Sequence, residues 1–407
     1  MRISTNSMYN AGSSQLNTLQ SNIARTQMQL STNRRMLSAA DDPVASARAL
    51  ETSQSKSVNE QYGANRANAR SSLTMVEQSL ANVTDVLQNV QELTVRAGSG
   101  ALSAADRTTL ANEAQGHLET LLGLANASDS EGYLFAGFKS KTQPFVQTAT
   151  GAQYLGDQGE RKLQVSSSRQ FAISTPGSTV FESNMTGNGT FVTAADPANT
   201  GSGVVSGGAV ASQTALTGHN YEITFALAGL PPVNSYTVLD KVTNLPPPGL
   251  AGPQPYVAGQ QIAFDGMSMD VSGTPANGDK FQVDPSSKQS VFTTLTDLIA
   301  TLRAPVPPGG GQGALTNGLA KAGLNLTTAL DNVLSAQSTA GARLKELDDL
   351  DSVGADLNIQ YESTLSNLQD LDLVATISKF TQQQFTLEAA QKSFKTLSGL
   401  SLFNFIG

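Results

Sequence analysis

Apolar residues recur every seventh position at both ends of this chain, and most of its length lies between the two series. From Tyr9 the first runs through Leu16, Ile23, Leu30 and Leu37, with Leu19 beside it. The second runs through Leu373, Phe380, Leu387 and Phe394, with Ile377, Leu397 and Leu400 broadening the face. A heptad of this kind is the seam of a helix that packs along another helix. These two stripes are the candidate assembly interface, offered by a chain that closes on itself and presents its ends to neighbours.

Inside the arms the pattern stays helical. Asp42 is placed to cap a helix that has Pro43 at its first position, where the missing N–H costs nothing. Apolar positions then alternate by threes and fours from Tyr62 through Leu73, Leu80 and Leu87 to Val90, and the Gly98-Ser99-Gly100 run stops the helix. That helix spans about 80 Å at 1.5 Å per residue. Ser103 to Asp106 reads as a capping box with Asp replacing Glu, opening a second, antiparallel helix that carries Leu110, Leu118, Leu121 and Leu124 to about Ala127.

Short β-prone runs follow: GYLFAGF at 132–138, QYLGDQGERKLQVS at 153–166 and RQFAIS at 169–174, all expected as hairpins beside the helices. Residues 176–284 concentrate Pro and Gly around five strand candidates, at 221–227, 236–242, 260–264, 268–272 and 280–283. Beyond them, 291–302 is predicted helical and 304–313 a loop. From about Leu315 to Leu402 one long helix is expected, with breaks near Gly341, Gly354 and Gly399. The expected fold is mainly α with a β insertion. Terminal helical arms occupy 1–40 and 365–407, a coiled-coil-like helical rod with small hairpins occupies 41–175 and 285–364, and an all-β domain is inserted at 176–284.

Composition narrows the function. The 407 residues carry 25 Lys and Arg against 33 Asp and Glu, a net charge of −8, which disfavours nucleic-acid binding. The first 50 residues are basic and those beyond 340 acidic, so the ends attract weakly in a salt-dependent way. Cysteine is absent, excluding disulfides and thiolate metal sites. The start, MRISTNSMYN, lacks the apolar core of a cleavable secretory signal, and no stretch approaches the ~20 apolar residues of a membrane span. No membrane association is expected; the options are a cytoplasmic protein or export through an uncleaved, unstructured start.

Several segments carry more than apolar patterning. SAADDPVASARAL (38–50), LQNVQELTVRAGSGALSAADRTTLANE (87–113), GYLFAGFKSKTQPF (132–145), YLGD (154–157), and the stretch from TLSNLQDLDL to QKSFKTLSGLSLF (364–403) resemble the flagellin family. Within it they are most similar to the hook-associated protein 3 group of the hook-filament junction. Flagellins commonly end in Leu-Leu near the last residue, whereas this chain ends LSLFNFIG. The resemblance covers about 1–175 and 285–407 and only loosely the segment between. It implies a structural flagellar subunit, exported by the specialised type III route to an extracellular location. Its implied partners are identical subunits in a ring, a hook-side junction protein, filament flagellin, and a cytoplasmic export chaperone on the C-terminal arm. The nearest alternative is a filament-forming flagellin.

Catalytic signatures are thin. With only His117 and His219, two-histidine zinc signatures are impossible. Gly132 to Ser140 is a near miss to a phosphate loop, since Phe138 displaces Lys139 by one residue, and a turn is the better reading. Asp348, Asp349 and Asp351 read as a solvated helix face, not a cation site, and Ser53-x-x-Lys56 lacks the partner motifs of a β-lactamase. No enzyme, cofactor or metal is expected. A remoter possibility is a carbohydrate-binding adhesin using Tyr221, Tyr236 and Tyr256 of the insert.

Energetics bear on the arms. Ordering a residue costs ~1–2 kcal/mol of backbone entropy, while each buried stripe side chain returns ~1.5–3 kcal/mol and each helix hydrogen bond ~1 kcal/mol net. For about ten stripe residues in an arm of about 40 the balance is near zero, so the arms are expected to be mobile in the monomer and to fold on contact with other subunits.

Overall fold

A computed structural model describes residues 5–100, 102–228, 233–305 and 312–406; side chains are described up to Thr396. The chain is mainly α, with a β-rich insertion. Its contacts divide it into two compact units, Met1–Ala64 with Asp349–Gly407, and Asn65–Asp348.

The first unit contains helix α1 (Thr5–Thr32), the start of α2 (Pro43–Ala97), the end of α5 (Gly313–Gln369) and α6 (Leu373–Ile406). α1 ends because Asn33 adopts a left-handed conformation, φ 52°, a common way for a helix to stop. Leu37 therefore lies outside the helix that its heptad spacing predicts. It sits in the connecting loop, where its amide donates to Asp41 at 2.9 Å. Asp42 caps α2 through the amide of Ala45 at 3.0 Å, with Pro43 as the first helical residue, as the sequence predicts. α2 and α5 run antiparallel here: the buried Asn59 amide donates to Gly354 O and to Asn358 Oδ1, both at 2.8 Å, and Lys56 pairs with Glu362 at 2.7 Å.

The long C-terminal helix breaks in a different place from that expected. Gly341 and Gly354 lie within α5 without interrupting it, and Gly399 lies within α6. The break falls at 370–372, where Asp372 accepts from the amide of Ala375 at 3.0 Å and restarts the helix as an N-cap. A capping carboxylate outweighs glycines, which cost only ~1 kcal/mol each inside a helix supported by packing.

In the second unit α3 (Ala104–Ala125) opens with the predicted capping box, Ser103 and Asp106 bonding reciprocally. It packs with α2, α4 (Val291–Arg303) and α5 around one apolar cluster containing Leu80, Leu87, Leu121, Phe292 and Leu326, all fully buried. Two hairpins flank it, Phe145–Thr148 with Gly151–Tyr154 and Lys162–Ser166 with Arg169–Ala172. The GYLFAGF run forms turns instead of a hairpin. Gly132 (φ 139°) and Gly137 (φ 71°) adopt backbone unsuited to strands, while Leu134, Phe135 and Ala136 are buried.

The insertion holds a second cluster. A five-stranded antiparallel sheet, in the order 254–255, 233–240, 221–228, 280–285, 191–195, supplies Tyr221, Ile223, Phe225, Phe281 and Val283. Strands 261–264 and 267–272 supply Ile262, Phe264, Met269 and Val271. Three asparagines of α5 bind backbone of this region: Asn317 accepts from Val205 N at 2.9 Å, Asn325 from Gly187 N at 2.8 Å, and Asn332 donates to Val180 O at 2.9 Å. The loop expected at 304–313 lies mostly outside the described residues.

Candidate assembly interface

Contrary to the expectation that the arms fold only on contact with other subunits, the two terminal helices form one antiparallel pair within the chain. At one end Tyr9 and Phe394 pack as a tilted pair with ring centroids 5.1 Å apart, and Phe394 lies over Gly12, where a Cβ would fall 2.7 Å from the ring. In the middle, Thr26 and Gln383 are hydrogen bonded at 2.9 Å. At the other end the Arg35 amide donates to Gln369 O at 2.8 Å, and its guanidinium reaches Leu368 O at 2.9 Å.

The inward residues follow the heptad on both helices. On α1 they are Gly12, Leu16, Leu19, Ile23, Thr26 and Leu30; on α6, Thr376, Phe380, Gln383, Leu387, Ala390 and Phe394. All are half-buried except Thr26, which is 3% exposed. The stripe residues Leu16, Leu19, Ile23, Leu30, Phe380, Leu387 and Phe394 are thus brought together. Leu37, Leu373 and Ile377 are not: they stand exposed at 37%, 46% and 54%. Leu397 and Leu400 lie outside the described side chains.

The outer faces of the pair differ. α1 presents mostly uncharged polar groups, Asn10, Ser14, Asn17 and Ser21, with Met28 54% exposed on the same face. α6 presents Val374 and Phe385, 81% and 73% exposed and about three turns apart on one face. They stand on a helix whose other face already packs on α1. The heptad of largest residues led sequence reading to the inner seam; Val374 and Phe385, one helical face away, were the missed signal.

The loop joining α1 to α2 is held by charge. Asp41 accepts from the amides of Leu37 and Ser38, which lower its pKa most, and pairs with Arg25 at 2.6 Å. The remaining polar candidates have structural partners. Asp157 Oδ1 takes the amides of Phe138 and Gly159, each at 2.8 Å, so a carboxylate of the chain itself fills the turn that resembles a phosphate loop. Its hydrogen bonds hold the Asp157 carboxyl below the usual range. Lys56 pairs with Glu362, which raises its pKa, and Asp348 pairs with Arg70. His117 is half-buried on α3, and His219 Nδ1 lies 2.8 Å from the Asp240 carboxylate. Burial acts to raise the Asp240 pKa, but hydrogen bonds from His219, Val242 and Thr243 outweigh it and bring it to about 2. Among the described residues no three metal-ligating side chains gather, and no helix is long and apolar enough to cross a membrane.

The insert's tyrosines do not form a sugar platform. Tyr221 is fully buried, Tyr236 and Tyr256 pack on Phe225, and the Tyr256 hydroxyl bonds to the carbonyls of Val271 and Gly273.

A chain whose sequence ends meet in one heptad helix pair, with its β structure inserted between them, has the build of a flagellin-type subunit. Residues 3–140 match the bacterial flagellin N-terminal helical region. Flagellar hook-associated protein 3 of Escherichia coli (strain K12) is 29% identical over 405 residues, 99% of each chain. The crystal structure of the flagellar junction protein FlgL from Legionella pneumophila, 33% identical, superposes with a TM-score of 0.71 over 79% of this chain and 100% of that one. That of Xanthomonas campestris FlgL, 28% identical, gives 0.70 over 77% and 99%. The chain belongs to the flagellar hook-associated protein 3 family.

Proposed function

We propose that this protein is a structural subunit of the bacterial flagellum that joins the hook to the flagellin filament, and that it acts through its terminal helices and not through catalysis. The observation that carries the reading is the exposed apolar face of α6, Val374 with Phe385, on a helix pair whose own seam is already filled. Neighbouring copies in a ring, a hook-side junction protein and filament flagellin would cover that face. They would also draw the half-buried stripe from Leu16 to Leu30 and from Phe380 to Phe394 fully out of water, together with Leu373, Ile377, Leu397 and Leu400. Burying an apolar side chain is worth ~1.5–3 kcal/mol, so a few such residues per contact suffice for a stable ring of many contacts. Before assembly the same face needs cover, which is the role of a cytoplasmic chaperone on the C-terminal arm. After export the subunit is extracellular. In this scheme residues 1–40 and 365–407 form the inner tube, and the insertion forms an outer domain that begins only after Phe181, because Val180 and Phe181 pack in the helical apolar cluster.

The test is electron microscopy of flagella from a strain lacking this protein, complemented with the full chain or with one lacking residues 365–407. Hooks without filaments in the deletion strain, restored only by the full chain, are expected. Normal filaments in the deletion strain would refute the reading.

A further inference from the structure

Thr26 is the most buried side chain of α1 among the described residues, yet it is polar. Its hydroxyl lies 2.9 Å from Gln383 Oε1 and also 2.9 Å from the carbonyl of Asn22 one turn back. Both residues occupy heptad positions, so this is one polar layer in a seam whose other large members are Leu, Ile and Phe. Aliphatic layers carry little information about alignment, because a slip of seven residues replaces one apolar contact with another. A single hydrogen-bonded layer is different: it is satisfied in one alignment only.

We infer that Thr26 and Gln383 are the positioning residues that fix the register of the terminal helix pair. Sliding α6 by one heptad in one direction sets Gln383 against Leu19; sliding it in the other sets Thr26 against Ala390. Either slip takes the Gln383 amide away from the Thr26 hydroxyl, which itself keeps the Asn22 carbonyl, so the lost partner is that of Gln383. The register matters because it sets the height at which the exposed face of α6 stands beside the polar face of α1. The inference concerns pairing within one chain and does not depend on incorporation into flagella.

The chain has no cysteine, so Asn10→Cys and Lys379→Cys, both exposed and far apart along the pair, can carry two spin labels on the full-length protein. Pulsed electron resonance then reads the register directly, since a one-heptad slip moves α6 by about 10 Å. One distance population is expected in the otherwise unchanged chain. Thr26→Val with Gln383→Leu should keep the helices paired and add a second population displaced by several ångströms. Thr26→Ser, which keeps the hydroxyl, should retain one. A single unshifted population in the Val/Leu variant would overturn the inference, as would more than one population in the unchanged chain or in Thr26→Ser.

Discussion

Replacing Phe394 by Asp separates the two roles that a terminal helix can have. In the free chain the ring is half-buried, packed on Tyr9 and Gly12. Half the burial of a Phe is worth about 1.5 kcal/mol, and its aromatic pair adds ~0.5–1.5 kcal/mol. The substitution therefore costs the α1–α6 pair about 2–3 kcal/mol, while the new carboxylate remains in water. None of this reaches the apolar clusters, whose members fall within residues 76–340. The main calorimetric transition should then move by less than about 2 °C. In the assembled junction the carboxylate is enclosed without a partner, which costs several kcal/mol. At about 4 kcal/mol per contact, incorporation falls roughly a thousandfold. The assay is quantitative immunoblotting of isolated flagella beside calorimetry of the purified chain. Normal incorporation would refute the reasoning. So would a fall of about 10 °C or more in the main transition, which would place Phe394 in the core of the free protein.

Three further expectations follow from the packing. Excising residues 187–286 with a short linker should preserve assembly, whereas excising 176–284 should destabilise the chain, because it removes Phe181, 1% exposed and edge-on to Phe135 and Phe145; melting curves and flagellar blots distinguish the two. Phe181→Ala alone should cost about 3–5 kcal/mol by cavity formation, read as a lower denaturant midpoint. Asp240 has a pKa lowered to about 2 from 3.8, so its charged form stabilises the fold above pH ~4, and that contribution is lost as pH falls toward 2. Asp240→Asn should therefore be less stable than the parent chain at about pH 6, and the gap should shrink steadily between about pH 4 and 2; a gap independent of pH would refute the assignment.

Much of the fold was legible because it rests on periodicity and caps. The seven-residue spacing from Leu16 to Leu30 and from Phe380 to Phe394, the Asp42-Pro43 start and the Ser103-Asp106 box all depend on interactions within a few residues. What failed depended on a competition between local signals or on a choice of face. Three glycines looked like helix breaks, but Asp372 decided the break. The apolar run between Gly132 and Gly137 looked like a strand, but the left-handed φ of Gly137 forces a turn. In the interface, large apolar residues mark the seam by their spacing, whereas Thr26 and Gln383 carry no apolar signal of their own. Both sit in the same heptad frame, Thr26 one repeat after Leu19 and Gln383 one turn before Leu387.

The pairing of Tyr9 with Phe394 also has a consequence in time. Translation delivers α1 first, and its partner more than 300 residues later. At about 5–20 residues per second, α1 waits roughly 20–70 s for α6 to emerge. During that interval the ribosome-bound chain displays the uncovered apolar stripe of α1, and a chain that stops before α6 displays it for good. The meeting of α1 with α6 therefore works as a completion signal: only a polypeptide synthesised through α6 covers the apolar stripe of α1.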